Sequence, residues 1–347
     1  MVTREEAREL IDRRRNELGE RLIILGHHYQ KDEVVEFCDV VGDSLELARK
    51  ASQIEAAEII VFCGVYFMAE TASILAQDKA VYIPDPTAGC PLADMADIRR
   101  VMQAWEELSR IGKSFVPVTY VNSSAEIKAF CGRNSGTVCT SGNSQLIFEW
   151  ALSHGETVFF MPDKNLGRNT AKMMGIPGEQ IVQWDPDQAR GGLTDDDIVR
   201  ARVILWKGWC PVHWPEFAIS DICSMRKQFP GIKIIVHPES DPETVEASDS
   251  AGSTAQILKY FRGLKPGDKV AVGTEFSMVK RAAKEYKSII DIMALKGIYC
   301  EDMGKISLEN LAATLTNLEG KEHRVVVPDS IVREAKKALD TMLRLSE

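Results

Sequence analysis

One layout is written three times along this chain, and that self-similarity constrains the fold more than any single motif. Apolar runs that end abruptly in polar residues occur at LIILGHHYQ (22–30), FVPVTYVNSS (115–124) and IKIIVHPES (232–240). A buried parallel strand reads this way where it meets a loop. Each run leads to a small-hydroxyl turn that opens a helical stretch: GDSLELARKA (42–51), TSGNSQLIFEWA (140–151) and AGSTAQILKYF (251–261). A second strand and helix follow, then a third strand running into a cysteine, in VYIPDPTAGC, VILWKGWC and IMALKGIYC. From the polar tip of the first strand to that cysteine, the outer copies agree: His27 to Cys90 and His237 to Cys300 are each 63 residues apart. Asn122 to Cys210 spans 88, and the surplus in the middle copy is assigned to the polar stretch around PDQARGGLTDDD (186–197). Alternating strands and helices resemble one another in any α/β chain, but that does not account for matching positions of both the hydroxyl turn and the cysteine.

The pattern predicts an α/β fold of three pseudo-threefold-related αβα sandwich units, with parallel sheets and right-handed crossovers, around a central active-site cavity. The expected units are 1–109, 110–209 and 210–329. The terminal helices, including the C-terminal one at 330–347, are expected to pack together on the first unit. Ligands of parallel sheets gather beyond the carboxyl ends of the strands. If those ends point inward, one cavity collects His27, Tyr29, Asn122 and His237, then Ser44, Ser141 and Ser253, then Cys90, Cys210 and Cys300.

The 347 residues carry 42 Lys and Arg against 51 Asp and Glu, a net charge of −9, which argues against a general nucleic-acid binder. No apolar run approaches the roughly 20 residues a membrane helix needs. The opening MVTREEARELIDRRRNELGE has no apolar signal core and reads as a helix with Thr3 and Glu6 at capping-box spacing, so a cytoplasmic location is expected. In that compartment the eight cysteines are metal ligands or buried side chains rather than disulfides. Cys38, Cys131 and Cys223 read as structural residues of apolar helices and Cys63 as a strand end, while Cys139 is ambiguous. Cys90, Cys210 and Cys300 are candidate ligands of an iron–sulfur cluster with one open iron. Burial alone, or zinc at Cys210-x-x-His213, remains an alternative.

His27 and His237 end equivalent strands, Glu239 is a candidate general base, and Tyr29 and Tyr120 are candidate proton donors. His28 is expected to point away from its neighbour. Ser44, Ser141, Ser253 and Thr254 open helices, where a hydroxyl caps the helix, binds an anion, or does both. No Walker loop, G-x-G-x-x-G after a strand or G-x-S-x-G is present.

Taken in order, GHHYQ, GDSLELA, AGCPLADM, TYVNSSAEIKAF, CTSGN, WKGWCPVH, VHPE, AGSTAQI, GTEFSMVKRA and the terminal C-x-x-M-x-K-I-S-L-E-N-L resemble the quinolinate synthase family over essentially the whole chain. The resemblance implies a [4Fe-4S] cluster on Cys90, Cys210 and Cys300. It also implies condensation of iminoaspartate with dihydroxyacetone phosphate to quinolinate, with loss of phosphate and water, on the route to NAD. An aspartate oxidase or dehydrogenase is the implied functional partner, and no nucleic acid or membrane is implied. Substrate-binding positions carry over to His27, Tyr29, Ser44, Tyr120, Asn122, Ser141, His237, Glu239, Ser253 and Thr254. Two departures are the residues around the first histidine motif and Pro91, where the family often has serine. Beside this reading stand a zinc-dependent lyase or hydrolase on the same scaffold and a non-enzymatic iron–sulfur sensor.

Overall fold

The computed structural model describes residues 3–347. Its first sheet comprises β1 (Leu22–His27), β2 (Val40–Gly42), β3 (Ile59–Cys63) and β4 (Ala80–Tyr82), in the order β2-β1-β3-β4. The second holds β5 (Phe115–Tyr120), β6 (Thr137–Cys139), β7 (Thr157–Met161), β8 (Ile181–Trp184) and β9 (Val203–Trp206), in the order β6-β5-β7-β9-β8. The third holds β10 (Lys233–Val236), β11 (Ser250–Ala251), β12 (Lys269–Gly273) and β13 (Asp291–Ala294), in the order β11-β10-β12-β13. Every pair of neighbours within the three sheets is parallel. Parallel pairing needs a crossover between strands, and the helical stretches supply it. The three αβα units foreseen from the repeat are present, with one strand order shared by all of them.

The middle unit differs by β8, which adds a fifth strand outside β9. Its surplus is therefore not only the polar stretch at 186–197; it begins with a strand whose two ends are buried, Ile181 and Trp184. The polar stretch folds back on that strand. Gly191 has a positive φ, and a Cβ there would lie 2.4 Å from the Trp184 ring, so both conformation and contact require glycine.

β-branched and aromatic residues fill the strands, as at Val158, Phe159 and Phe160, all fully buried. The first two sheets share one continuous apolar core with the N- and C-terminal helices. The third sheet has its own apolar clusters, one around Ile235, Val270 and Val272 and another around Ile234, Val236 and Ala271. Strand residues that alternate between the two clusters are the signature of a sheet buried on both faces.

The terminal helices depart from expectation. The helix Arg4–Leu18, capped by Thr3 and Glu6 as foreseen, packs on Leu308–Thr316. The helix Asp329–Leu345 packs chiefly on Ala125–Arg133 and β6, in the second unit rather than the first. The cause is local: Gly132 has no side chain, and a Cβ there would lie 1.9 Å from the Glu334 carbonyl oxygen. Thr137 Oγ1 donates to the Ala338 carbonyl at 2.9 Å on the same face. The last turn reaches the seam with the first unit, where Arg49 bonds the Ser346 carbonyl. No described helix is long and apolar enough to cross a membrane.

Candidate active site

The carboxyl ends of the three sheets face one cavity of about 700 Å³. Its wall includes His27, Tyr29, Ser44 and Cys90 from the first unit, and Tyr120, Asn122 and Ser141 from the second. Cys210, His237, Glu239, Thr254 and Cys300 complete it. Ser253 stands behind this wall: its Oγ accepts the Gln256 N–H and donates to Asp43 Oδ2 at 3.2 Å.

The hydroxyl turns are not equivalent in their capping. Asp43, not Ser44, caps the helix Ser44–Ser52, accepting the N–H groups of Leu45 and Glu46. Ser141 precedes Asn143, at the start of the helix Ser144–His154. Only Ser253 of the three serines is an N-cap. The hydroxyls of Ser44 and Ser141 thus face the cavity without that duty. Asn122 Oδ1 is buried with no partner among the described residues, an unsatisfied acceptor at the cavity wall.

His27 and His237 sit in the same local geometry. The Tyr29 N–H donates to His27 Nδ1 at 3.1 Å, and the Glu239 N–H donates to His237 Nδ1 at 3.3 Å. A nitrogen that accepts carries no proton, so each neutral ring holds its proton on Nε2. Burial drives both imidazoles down to about 3; beside His27 the charges of His28, His237 and Arg281 add to this, and beside His237 that of His213. At neutral pH both rings are N–H donors and uncharged.

Glu239 is the hub of the network. Tyr120 donates to its Oε1, and His213 Nδ1 lies 2.7 Å from its Oε2. His213 Nε2 is 3.1 Å from Thr274 Oγ1, which is 2.8 Å from the Tyr29 hydroxyl, and Thr254 Oγ1 follows at 3.5 Å. The His213 and His237 rings stack at 4.3 Å. Burial pushes the Glu239 carboxyl up, but His237, His213 and the bonds from His213 and Tyr120 more than offset it and keep it ionised. Tyr29 and Tyr120 move the other way, raised by burial and by the Glu239 charge, so both phenols keep their protons.

The three thiols come from equivalent loops. Each cysteine starts a helical turn, its carbonyl accepting from Asp94, His213 or Gly304 respectively. Burial raises all three, Cys300 to about 11, while backbone N–H groups of Ala93 and Leu92 at Cys90, and of Met303 and Asp302 at Cys300, act in the opposite sense. A thiolate here needs a positive charge beside it, which a bound metal supplies.

Among the described residues, the compact group with ligand atoms within 4.8 Å of one another is Cys210, His213 and Glu239. Both nitrogens of that histidine and both oxygens of that carboxylate already hold hydrogen bonds. The three thiols line the same cavity, one from each repeat. Cysteine sulfurs are the donors that an iron–sulfur cluster takes, so the residues present suit such a group.

The remaining cysteines divide. Cys63, Cys131 and Cys139 are buried away from the cavity wall, but Cys223 is exposed on the helix Ile219–Gln228, against the expectation of an apolar setting. Cys38 lies between a helical turn and β2 rather than inside a helix. His28 points away from the cavity as expected, its Nε2 3.8 Å from Glu46. Asp43, Thr274 and the pairing of His213 with Glu239 were not foreseen. Asp43 was legible as an equally good cap one residue before Ser44, and Thr274 as the first residue after a strand tip.

Three parallel-sheet units that pool histidine, tyrosine, carboxylate and three thiols in one cavity define an α/β enzyme whose site is built at the seam of its repeats. Residues 9–344 match the family model described as Quinolinate synthetase A protein. The chain is 47% identical over 335 residues to the quinolinate synthase of Geobacillus kaustophilus, covering 94% of this chain and 90% of that one. It is 45% identical over 348 residues to that of Halalkalibacterium halodurans, covering 99% and 94%. The quinolinate synthase of Bacillus velezensis is 46% identical over 330 residues, 94% of this chain and 89% of the relative. The chain belongs to the quinolinate synthetase A family.

Proposed function

We propose that the chain makes quinolinate for NAD synthesis by condensing iminoaspartate with dihydroxyacetone phosphate, with loss of phosphate and water. The observation that carries this reading is the convergence of Cys90, Cys210 and Cys300 on the cavity that also holds Asn122, Glu239 and the histidines His27, His213 and His237. The three cysteines would hold a [4Fe-4S] cluster, which when bound offers a Lewis-acidic iron to a leaving hydroxyl. The chain's own residues do the rest. His27 and His237 present neutral Nε2–H donors, and Ser44 and Ser141 hydroxyls, to the carboxylates and phosphate of the substrates. The Asn122 amide turns an unpaired oxygen toward a substrate N–H or hydroxyl. Glu239 is the buried base, and the protons of Tyr120 and Tyr29 stand at either end of its hydrogen-bonded chain. Thr254 orients the Tyr29 hydroxyl. Ser253, whose hydroxyl is engaged by Asp43, contributes through the backbone of its helix start. An aspartate oxidase or dehydrogenase supplies the labile imine.

The test is anaerobic reconstitution with iron and sulfide, followed by assay with iminoaspartate generated in place. Quinolinate and phosphate should form in equal amounts, and air should abolish the reaction. Equal activity of a zinc-loaded, air-exposed chain would overturn the cluster reading in favour of a zinc lyase on Cys210, His213 and Glu239.

A further inference from the structure

A second threefold relation lies beneath the cysteines. In every unit the helix after the third strand (β3, β7 or β12) begins beside the cysteine loop, and its first N–H donates to the carbonyl two residues before the cysteine. These bonds are Tyr66 N–H to Ala88 O at 2.7 Å, Lys164 N–H to Gly208 O at 2.9 Å and Phe276 N–H to Ile298 O at 2.7 Å. The residue before each donor is the helix N-cap: Val65, Asp163 and Glu275. At this position the three copies part.

Asp163 is fully buried and divides its carboxylate. Oδ1 accepts the N–H groups of Asn165 and Leu166, capping the helix, while Oδ2 accepts the Cys210 N–H at 3.2 Å. Gly208 permits this approach, because a Cβ there would lie 2.5 Å from the Pro162 carbonyl oxygen. In the third copy Glu275 caps its helix through Met278. Its Oε2 accepts the Met278 N–H at 3.2 Å and its Oε1 the Ser277 hydroxyl at 3.0 Å, so both oxygens are engaged within its own helix start. In the first copy Val65 has no side-chain acceptor, and Pro91 follows Cys90 directly.

We propose that Asp163 is a positioning residue that ties the Cys210 loop to a helix start, leaving Cys90 and Cys300 as the ligands without such a tie. This deepens the cluster reading and rests on it. A cysteine whose main chain is fixed before the metal arrives keeps its sulfur aimed, and outer partners of this kind are commonly worth ten- to a hundredfold in metal affinity.

Asp163→Ser separates the two duties, because serine still caps a helix but has no second oxygen for Cys210. The full-length chain, reconstituted anaerobically, is read in two ways: iron release to a chelator, and amide exchange at the three cysteines by mass spectrometry. Asp163→Ser should release iron about tenfold faster than wild type. Its Cys210 amide should exchange about tenfold faster with the Cys300 amide unchanged, and the melting temperature should stay close to wild type. In the wild type, the Cys90 and Cys300 amides should exchange faster than that of Cys210. If Asp163→Ser fails to fold, Asp163→Asn takes its place, since it is isosteric but offers one oxygen to three donors. Wild-type iron release together with wild-type Cys210 exchange in the folded variant overturns the proposal. Failure of the wild type to load iron overturns the cluster reading instead, and exchange at Cys210 in that same chain still decides whether the tie exists.

Discussion

His27 and His237 show how much chemistry a single bond to Nδ1 can settle. With Nδ1 accepting and burial holding both rings near 3, the site offers donors that do not titrate between pH 5 and 8. Linkage gives the sign for stability. An unfolded histidine titrates near ~6.5, so between that value and about 3 the unfolded chain binds more protons than the folded one. Their contribution is therefore fully present above pH 6.5 and is lost as pH falls, by up to ~1.4 kcal/mol per pH unit for each ring. Urea unfolding between pH 7 and 5 should show this slope, and His27→Gln should remove about half of it. A wild-type curve that stays flat across this range would show that the rings are charged in the folded state. At the cysteines, Cys90→Ala, Cys210→Ala and Cys300→Ala should each lose iron and activity while Cys131→Ala and Cys223→Ala keep both, as iron and sulfide analysis can establish. Full iron content in Cys300→Ala would exclude the three-ligand set. The cysteines were legible because their spacing repeats. The partnership of His213 with Glu239 was not, because the two meet across a fold from positions that no periodicity relates. The capping role given to Ser44 failed for a simpler reason: Asp43, one residue earlier, competes for the same N–H groups and wins.

Among the elements, strands announced themselves by apolar runs with polar tips, and their parallel order followed from the helices between them. Two placements did not follow. The strand β8 has only four residues with buried ends and half-buried middle positions, too short for a period to stand out beside the polar stretch that follows it. The helix Asp329–Leu345 carries a clear apolar stripe through Val332, Ala335, Ala338, Leu339 and Met342, but a stripe says that a helix packs and not upon what. The missing information lay in the second unit, where Gly132 leaves room for the Glu334 carbonyl. Gly132→Ala should therefore lift the terminal helix and cost about 1–3 kcal/mol in urea unfolding, the usual penalty for overfilling a close contact. An unchanged midpoint would mean that the helix shifts freely on its seat. The same substitution at Gly178, where a Cβ would meet nothing within 4 Å, is the control.

At the scale of the molecule, the threefold design was readable from the repeat, but the division of the core was not. The first two sheets and the terminal helices share one apolar interior, and the third sheet keeps clusters of its own. Residues 233–294 should accordingly open as one cooperative unit, before β5, β7 and β9, when hydrogen exchange is followed with rising urea. Equal protection of all three sheets would show that the seams bind as strongly as the cores. The sheets also differ at their outer edges. The edge of β4 carries an antiparallel bridge from Tyr82 to Arg324, whereas among the described residues no strand lies outside β8 or β13. An unpaired edge is a template for a second chain, and at β13 the large apolar Ile289, 49% exposed, stands at the entrance. In crowded or concentrated solution the third unit is thus the face by which copies would begin to clump. Ile289→Lys should lower light scattering at high protein concentration without moving the melting temperature, so the handling life of this enzyme would be set at the amino end of the same strand whose carboxyl end leads to Cys300.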